Sequence, residues 1–161
     1  MEPERILKGR IAESLVEELL KKCGNRVYRF GYEAVLQNLT QLEKVFDGKS
    51  EFGQRIRSIP DFVVITKEGK PFLVETKFRT DFLVYKEDIE RIDLMEKFWK
   101  AKILFITLKK PYFRVSNSPY LNKKGDWNWA PLEKDGDFKI NSDILNGFDE
   151  IVEKYCIIGK K

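Results

Sequence analysis

The chain has 161 residues, 42% hydrophobic and 13% aromatic, which is enough apolar chain for one folded core and too much for a disordered one. It contains no histidine, which excludes imidazole-dependent catalysis and His-bearing zinc sites, and its two cysteines stand alone, which excludes a CxxC pair. A formal net charge of +4, with 35% charged residues of mixed sign, suits a nucleic-acid partner without requiring one.

Taken in chain order, Ile11, Ala12, Leu15, Val16, Leu19 and Leu20 recur at helical spacing and predict a helix over residues 9–22, stopped by Gly24. "RVYRFG" (26–31) reads as a short strand, and residues 32–46 as a second helix. The polar run 47–58 reads as a loop. "DFVVIT" (61–66) and "PFLVETKF" (71–78) flank Lys67-Glu68-Gly69-Lys70, a hairpin signal. Residues 86–100 predict a helix with Ile89, Ile92, Met95 and Trp99 on one stripe. "KILFITL" (102–108) reads as a buried strand and "YFRVS" (112–116) as another. Residues 117–140 lose any period, and Ser142 is the expected cap of a last helix. No apolar run reaches the roughly 18 residues of a membrane span and no leader pattern is visible, so a single soluble, intracellular domain without membrane contact is expected. The order of elements predicts an α/β fold, a mixed sheet flanked by helices.

One strand of the hairpin carries charge in its middle. Phe72, Val74, Thr76 and Phe78 share one face, which reads as core. Leu73, Glu75, Lys77 and Arg79 share the other. A partly buried carboxylate needs compensation, by an ion pair or by a metal ion. If Gly69 is the third residue of a three-residue loop, in the left-handed conformation of a bulge, Thr66 pairs with Lys70. Asp61 then opposes Glu75, with Cβ atoms roughly 4.5–5.5 Å apart. A two-residue loop would instead set Asp61 against Thr76. Two opposed carboxylates repel, and a divalent cation removes the conflict. Oxygen-only ligands point to Mg²⁺, with Mn²⁺ able to substitute.

"PD" at 60–61 followed by "ETK" at 75–77 on the next strand resembles the PD-(D/E)xK nuclease superfamily. "KGRIAESLVEELL" (8–20) resembles the first helix of its archaeal-type Holliday junction resolvases. The resemblance covers about residues 5–116 and implies a restriction-endonuclease-like fold, with residues 117–161 as a C-terminal extension ending in a helix. It implies Asp61 and Glu75 as metal ligands, the Thr76 carbonyl completing the shell, Lys77 as the catalytic lysine, and Glu13 as a ligand or a nearby acid. On the helical wheel alone Glu13 and Glu18 flank the apolar stripe equally; the resemblance selects Glu13. The tripeptide by itself is weak, since Asp47-Gly48-Lys49, Glu68-Gly69-Lys70 and Asp137-Phe138-Lys139 also match it, though none lies in a hydrophobic strand pair. The helix after the motif lacks the glutamine typical of the RecB-like branch.

The function expected from this resemblance is metal-dependent hydrolysis of DNA phosphodiester bonds by a homodimer, with branched junctions among the substrates. A restriction- or repair-type nuclease, a non-catalytic DNA-binding module and a plain protein-interaction domain are the alternatives. Arg55, Arg57 and Arg79 are candidate phosphate contacts, with surface roles equally open to them. Lys123 and Lys124 interleave with Tyr120, Trp127 and Trp129, a mixture that either stacks unpaired bases or packs onto the core.

Overall fold

The computed structural model of the protein describes residues 3–31 and 47–157. The helix expected over residues 32–46 lies outside them. The described elements are α1 (Pro3–Lys22), β1 (Arg26–Arg29), α2 (Glu51–Arg57), β2 (Phe62–Ile65), β3 (Pro71–Arg79) and α3 (Lys86–Leu94), which runs on as a π-helical turn, Met95–Trp99. Then come β4 (Lys102–Thr107), β5 (Phe113–Ser116), β6 (Ala130–Pro131), a 3₁₀ turn (Leu132–Lys134) and α4 (Ser142–Tyr155). The six strands form one sheet in sequence order. All neighbours are antiparallel except β3 and β4, which α3 joins as a crossover. This is the expected mixed sheet flanked by helices, with a helical extension at its C-terminal end. No helix among the described residues is long and apolar enough to cross a membrane.

The hairpin has the three-residue loop that its turn chemistry requires. The Gly69 N–H donates to Thr66 O at 2.9 Å, the Thr66 N–H donates to Lys70 O at 2.9 Å, and Gly69 holds φ +81°. Val63 consequently pairs with Leu73 and Ile65 with Pro71. Phe72, Val74 and Phe78 join one core with Ala12, Val16, Leu19 and Leu20 of α1 and Phe148 and Val152 of α4. Leu73 joins a second core on the opposite face, with Ile92 and Met95, Ile103 and Phe105 of β4, Tyr120 and Trp127. Strand β4 is buried along its whole length because both its faces and both its edges are covered.

Three local expectations need correction. Residues 47–58 contain a helix rather than only a loop: Ser50 Oγ caps α2 by accepting from the Gly53 N–H at 3.0 Å. Gly53 lies so close to the preceding chain that a Cβ there would meet Asp47 O at 2.3 Å. With only Phe52 and Ile56 as apolar residues, α2 has no readable period. The cap of α4 is Asn141, whose side chain accepts from the Asp143 and Ile144 N–H groups. The inward stripe of α3 and its π turn is Asp88, Ile92, Met95 and Trp99, while Ile89 is 41% exposed.

Of Tyr120, Trp127 and Trp129 in residues 117–140, two pack onto the core and Trp129 is 39% exposed. Tyr120 and Trp127 are buried. The Tyr120 hydroxyl donates to Ala101 O at 2.5 Å, and Trp127 Nε1–H donates to Leu83 O at 3.2 Å. Buried Lys102 holds the end of this segment through Asp135 at 2.8 Å and Asp137 at 2.7 Å.

Candidate active site

Strand β3 has nine residues and β2 four, so β3 runs past the end of its partner from Glu75 onward. The Thr76 N–H on that side has no strand to bond, and Asp61 fills the place. Asp61 Oδ2 accepts from the Thr76 N–H at 2.7 Å and from the Thr76 hydroxyl at 2.8 Å. In a strand the N–H and C=O of one residue point to the same side, so the Thr76 carbonyl faces this edge too. The Asp61 backbone oxygen accepts from Phe30 at 2.8 Å and Gly31 at 3.1 Å, which ties the end of β1 to the same spot.

The register is the one that sets position 61 against position 75. Asp61 stands just outside β2, and its carboxylate takes the Thr76 donors. Burial and then the Glu75 carboxylate, with a smaller push from Glu13, drive the Asp61 pKa up to about 7 against the pull of the Thr76 bonds.

Glu75 is buried and faces α3. Arg91 grips it with both prongs, Nε to Oε1 at 3.1 Å and Nη2 to Oε2 at 2.9 Å. The same guanidinium donates to Arg57 O at 3.1 Å and Ile59 O at 3.4 Å, the residues leading into Pro60-Asp61. One step along β3, Lys77 Nζ lies 3.8 Å from Asp88 Oδ1. Burial lowers the Lys77 pKa, and the cations Arg79 and Arg91 push the same way while Glu75 and Asp88 oppose it. Arg79 is committed to Asp88 in a close ion pair, so its expected phosphate contact would have to compete with that carboxylate.

Glu13, half-buried on α1, accepts from Arg29 Nη1 at 3.3 Å, and Arg29 also reaches Glu17 at 2.9 Å. Beside this group, between α1 and the start of α3, opens a polar cleft of about 550 Å³ lined by Lys8, Thr76, Lys77, Arg79 and Asp88 among others.

The structure thus gathers Glu13, Asp61, Glu75, Thr76, Lys77 and Arg79 at one end of the sheet. Arg55 and Arg57 are exposed on α2 nearby; Arg55 stacks 5.0 Å from the Phe98 ring, and only the backbone of Arg57 reaches Arg91. Lys123 and Lys124 are exposed on a separate turn closed by Gly125, and no contact among the described residues joins them to the site. Asp88 and Arg91 were missed from sequence. Counting back from Ile92 by four, or from Met95 by four, reaches both, a signal hidden by placing Ile89 on the inner stripe.

Among the described residues no three carboxylates form a ready-made metal cluster. Glu75 belongs to Arg91, Asp61 to Thr76, and Glu13 meets Arg29. The donor chemistry nonetheless fits a hard divalent cation: carboxylate and carbonyl oxygens meet at one strand edge, and burial, with the Glu75 carboxylate second, has already raised one acid.

No known protein family matches the chain, and no curated protein sequence matches it. A solved structure similar to it is Hjc, a Holliday junction resolvase from the archaeal hyperthermophile Archaeoglobus fulgidus. It has 16% sequence identity and a TM-score of 0.41, with 86% of this chain and 98% of that one covered.

Proposed function

We propose that the chain is a divalent-metal-dependent DNA endonuclease that hydrolyses phosphodiester bonds. The observation that carries this reading is the seat of Asp61 on the Thr76 edge of the strand that bears Glu75 and Lys77, with burial first and the Glu75 carboxylate next lifting the Asp61 pKa to about 7, beside a polar cleft that Thr76 and Lys77 line. The motif resemblance supports it from the sequence side.

Asp61, Glu75 and the Thr76 carbonyl would hold Mg²⁺ or Mn²⁺, with Glu13 near enough to add a ligand or a charge. Such an ion, when bound, polarises the scissile phosphate and offsets its charge. Lys77, whose pKa burial lowers, orients the attacking water or steadies charge on the phosphate. Water adds at phosphorus as the bond to the 3′ oxygen breaks, leaving a 5′-phosphate and a 3′-hydroxyl. A homodimer would bring two such sites to two strands, and branched DNA is the substrate we expect.

One observation favours a second reading, a DNA-binding module without catalysis: the Arg91 grip leaves Glu75 compensated with no metal at all. Incubating labelled linear, flapped and four-way DNA with the protein in Mg²⁺, beside Glu75→Gln, separates the two. Cutting by the native chain alone supports the nuclease. Binding without cutting by both supports the module.

A further inference from the structure

Arg91 occupies the position a cation would take at Glu75. Its Nε and Nη2 satisfy both carboxylate oxygens, and the Arg57 and Ile59 carbonyls anchor the same guanidinium from behind. The arginine side chain is 23% exposed against 8% for the glutamate, so the pair opens to solvent from the arginine side. A divalent ion at Glu75 and a guanidinium on the same carboxylate repel each other strongly, even with protein-surface screening. The two compete for the same carboxylate oxygens. The Arg57 and Ile59 carbonyls keep Arg91 within reach when it gives way, with the two donors that held Glu75 released.

Resting on the proposed nuclease site, we propose that Arg91 is a positioning residue that stands in for the metal on Glu75. It lets go when a divalent cation binds, and its freed donors then take a phosphate of the nucleic-acid backbone. Metal and phosphate therefore bind cooperatively, and each raises the other's affinity by the same factor. Planar, two-pronged donors suit phosphate as well as carboxylate, which makes the exchange chemically natural.

The test is calorimetric titration of the full chain with Mn²⁺, alone and with a short phosphorothioate duplex that resists cleavage. Arg91→Gln removes the charge while its amide can still reach a backbone carbonyl. It should bind Mn²⁺ about tenfold more tightly than the native chain without DNA, a gain that loss of a merely structural contact would not produce. The duplex should tighten Mn²⁺ binding clearly in the native chain and distinctly less in Arg91→Gln. Native-like Mn²⁺ affinity in a folded Arg91→Gln, with Glu75→Gln blind to the metal, would overturn the exchange and leave the metal site standing. Equal duplex effects in both chains would overturn the phosphate hand-over. Absence of Mn²⁺ binding in every chain would overturn the site itself. If Arg91→Gln does not fold, Arg91→Lys carries the test: its single prong loosens the pair, and unchanged Mn²⁺ affinity there counts against the exchange.

Discussion

Asp61 accepts two hydrogen bonds from one residue, Thr76, through its backbone N–H at 2.7 Å and its hydroxyl at 2.8 Å. That contact holds the acid at the bare edge of β3 while burial and nearby carboxylates lift its pKa to about 7. An acid whose pKa is raised on folding stabilises the fold fully below its unfolded value of 3.8. It loses that contribution as pH climbs through about 7.

Asp61→Asn should therefore abolish cleavage yet keep the fold, because the amide oxygen still accepts from Thr76. Its melting temperature should exceed that of the native chain at pH 8, by about 1 kcal/mol in stability or more, with the gap closing toward pH 5. Thermal melts across that range check it. A constant deficit at every pH would contradict the raised acid.

Glu75→Gln should lower stability by about 1–3 kcal/mol, because it strands the Arg91 guanidinium against a neutral partner. It should also lower the Asp61 pKa by removing the nearest carboxylate charge. Chemical denaturation measures the first effect, and a carboxyl-carbon NMR titration of Asp61 the second.

Lys77→Met should lose cleavage and hold Mn²⁺ affinity within about twofold, since an ammonium offers a metal no lone pair. Stability should hold or rise, because a charge that burial penalises has gone. Loss of metal binding along with activity would show that Lys77 orders the ligands rather than serving the chemistry.

Gly69→Val should destabilise the hairpin by about 1 kcal/mol or more, while Gly69→Asn should be nearly silent. Nothing lies within 4 Å of a Cβ at residue 69, so the whole cost is the φ of +81°. Equal losses for both variants would show that something other than backbone conformation matters there.

The hairpin was legible because turn chemistry and strand alternation are local rules, and both agree on one register. The bonding of Asp61 to the Thr76 donors was not, since it depends on where β2 stops and which donors are left bare. Helix α3 was legible as a helix, with Ile92, Met95 and Trp99 on its inward stripe, and misread only at its first turn, where Asp88 and not Ile89 faces in. Asp88 is a charged residue 3% exposed, and apolar patterning alone sends such a residue outward. Arg91 was lost with it, and with Arg91 the partner of Glu75. The short α2 had too few apolar positions to show a period.

Residues 117–157 are no appendage. Tyr120 and Trp127 press on one side of β4, while Leu132, Phe138, Leu145, Phe148 and Val152 close the other. The segment leaves β5, crosses the rim of the sheet and returns beneath it, with Lys102 pinned to Asp135 and Asp137 on the way. A chain cut after Ser116 would not be a minimal catalyst stripped of decoration. It would be a sheet whose central strand keeps only α1 on one side and α3 on the other, with the rest of both cores opened to solvent, and the strand beside it is the one that carries Glu75, Thr76 and Lys77.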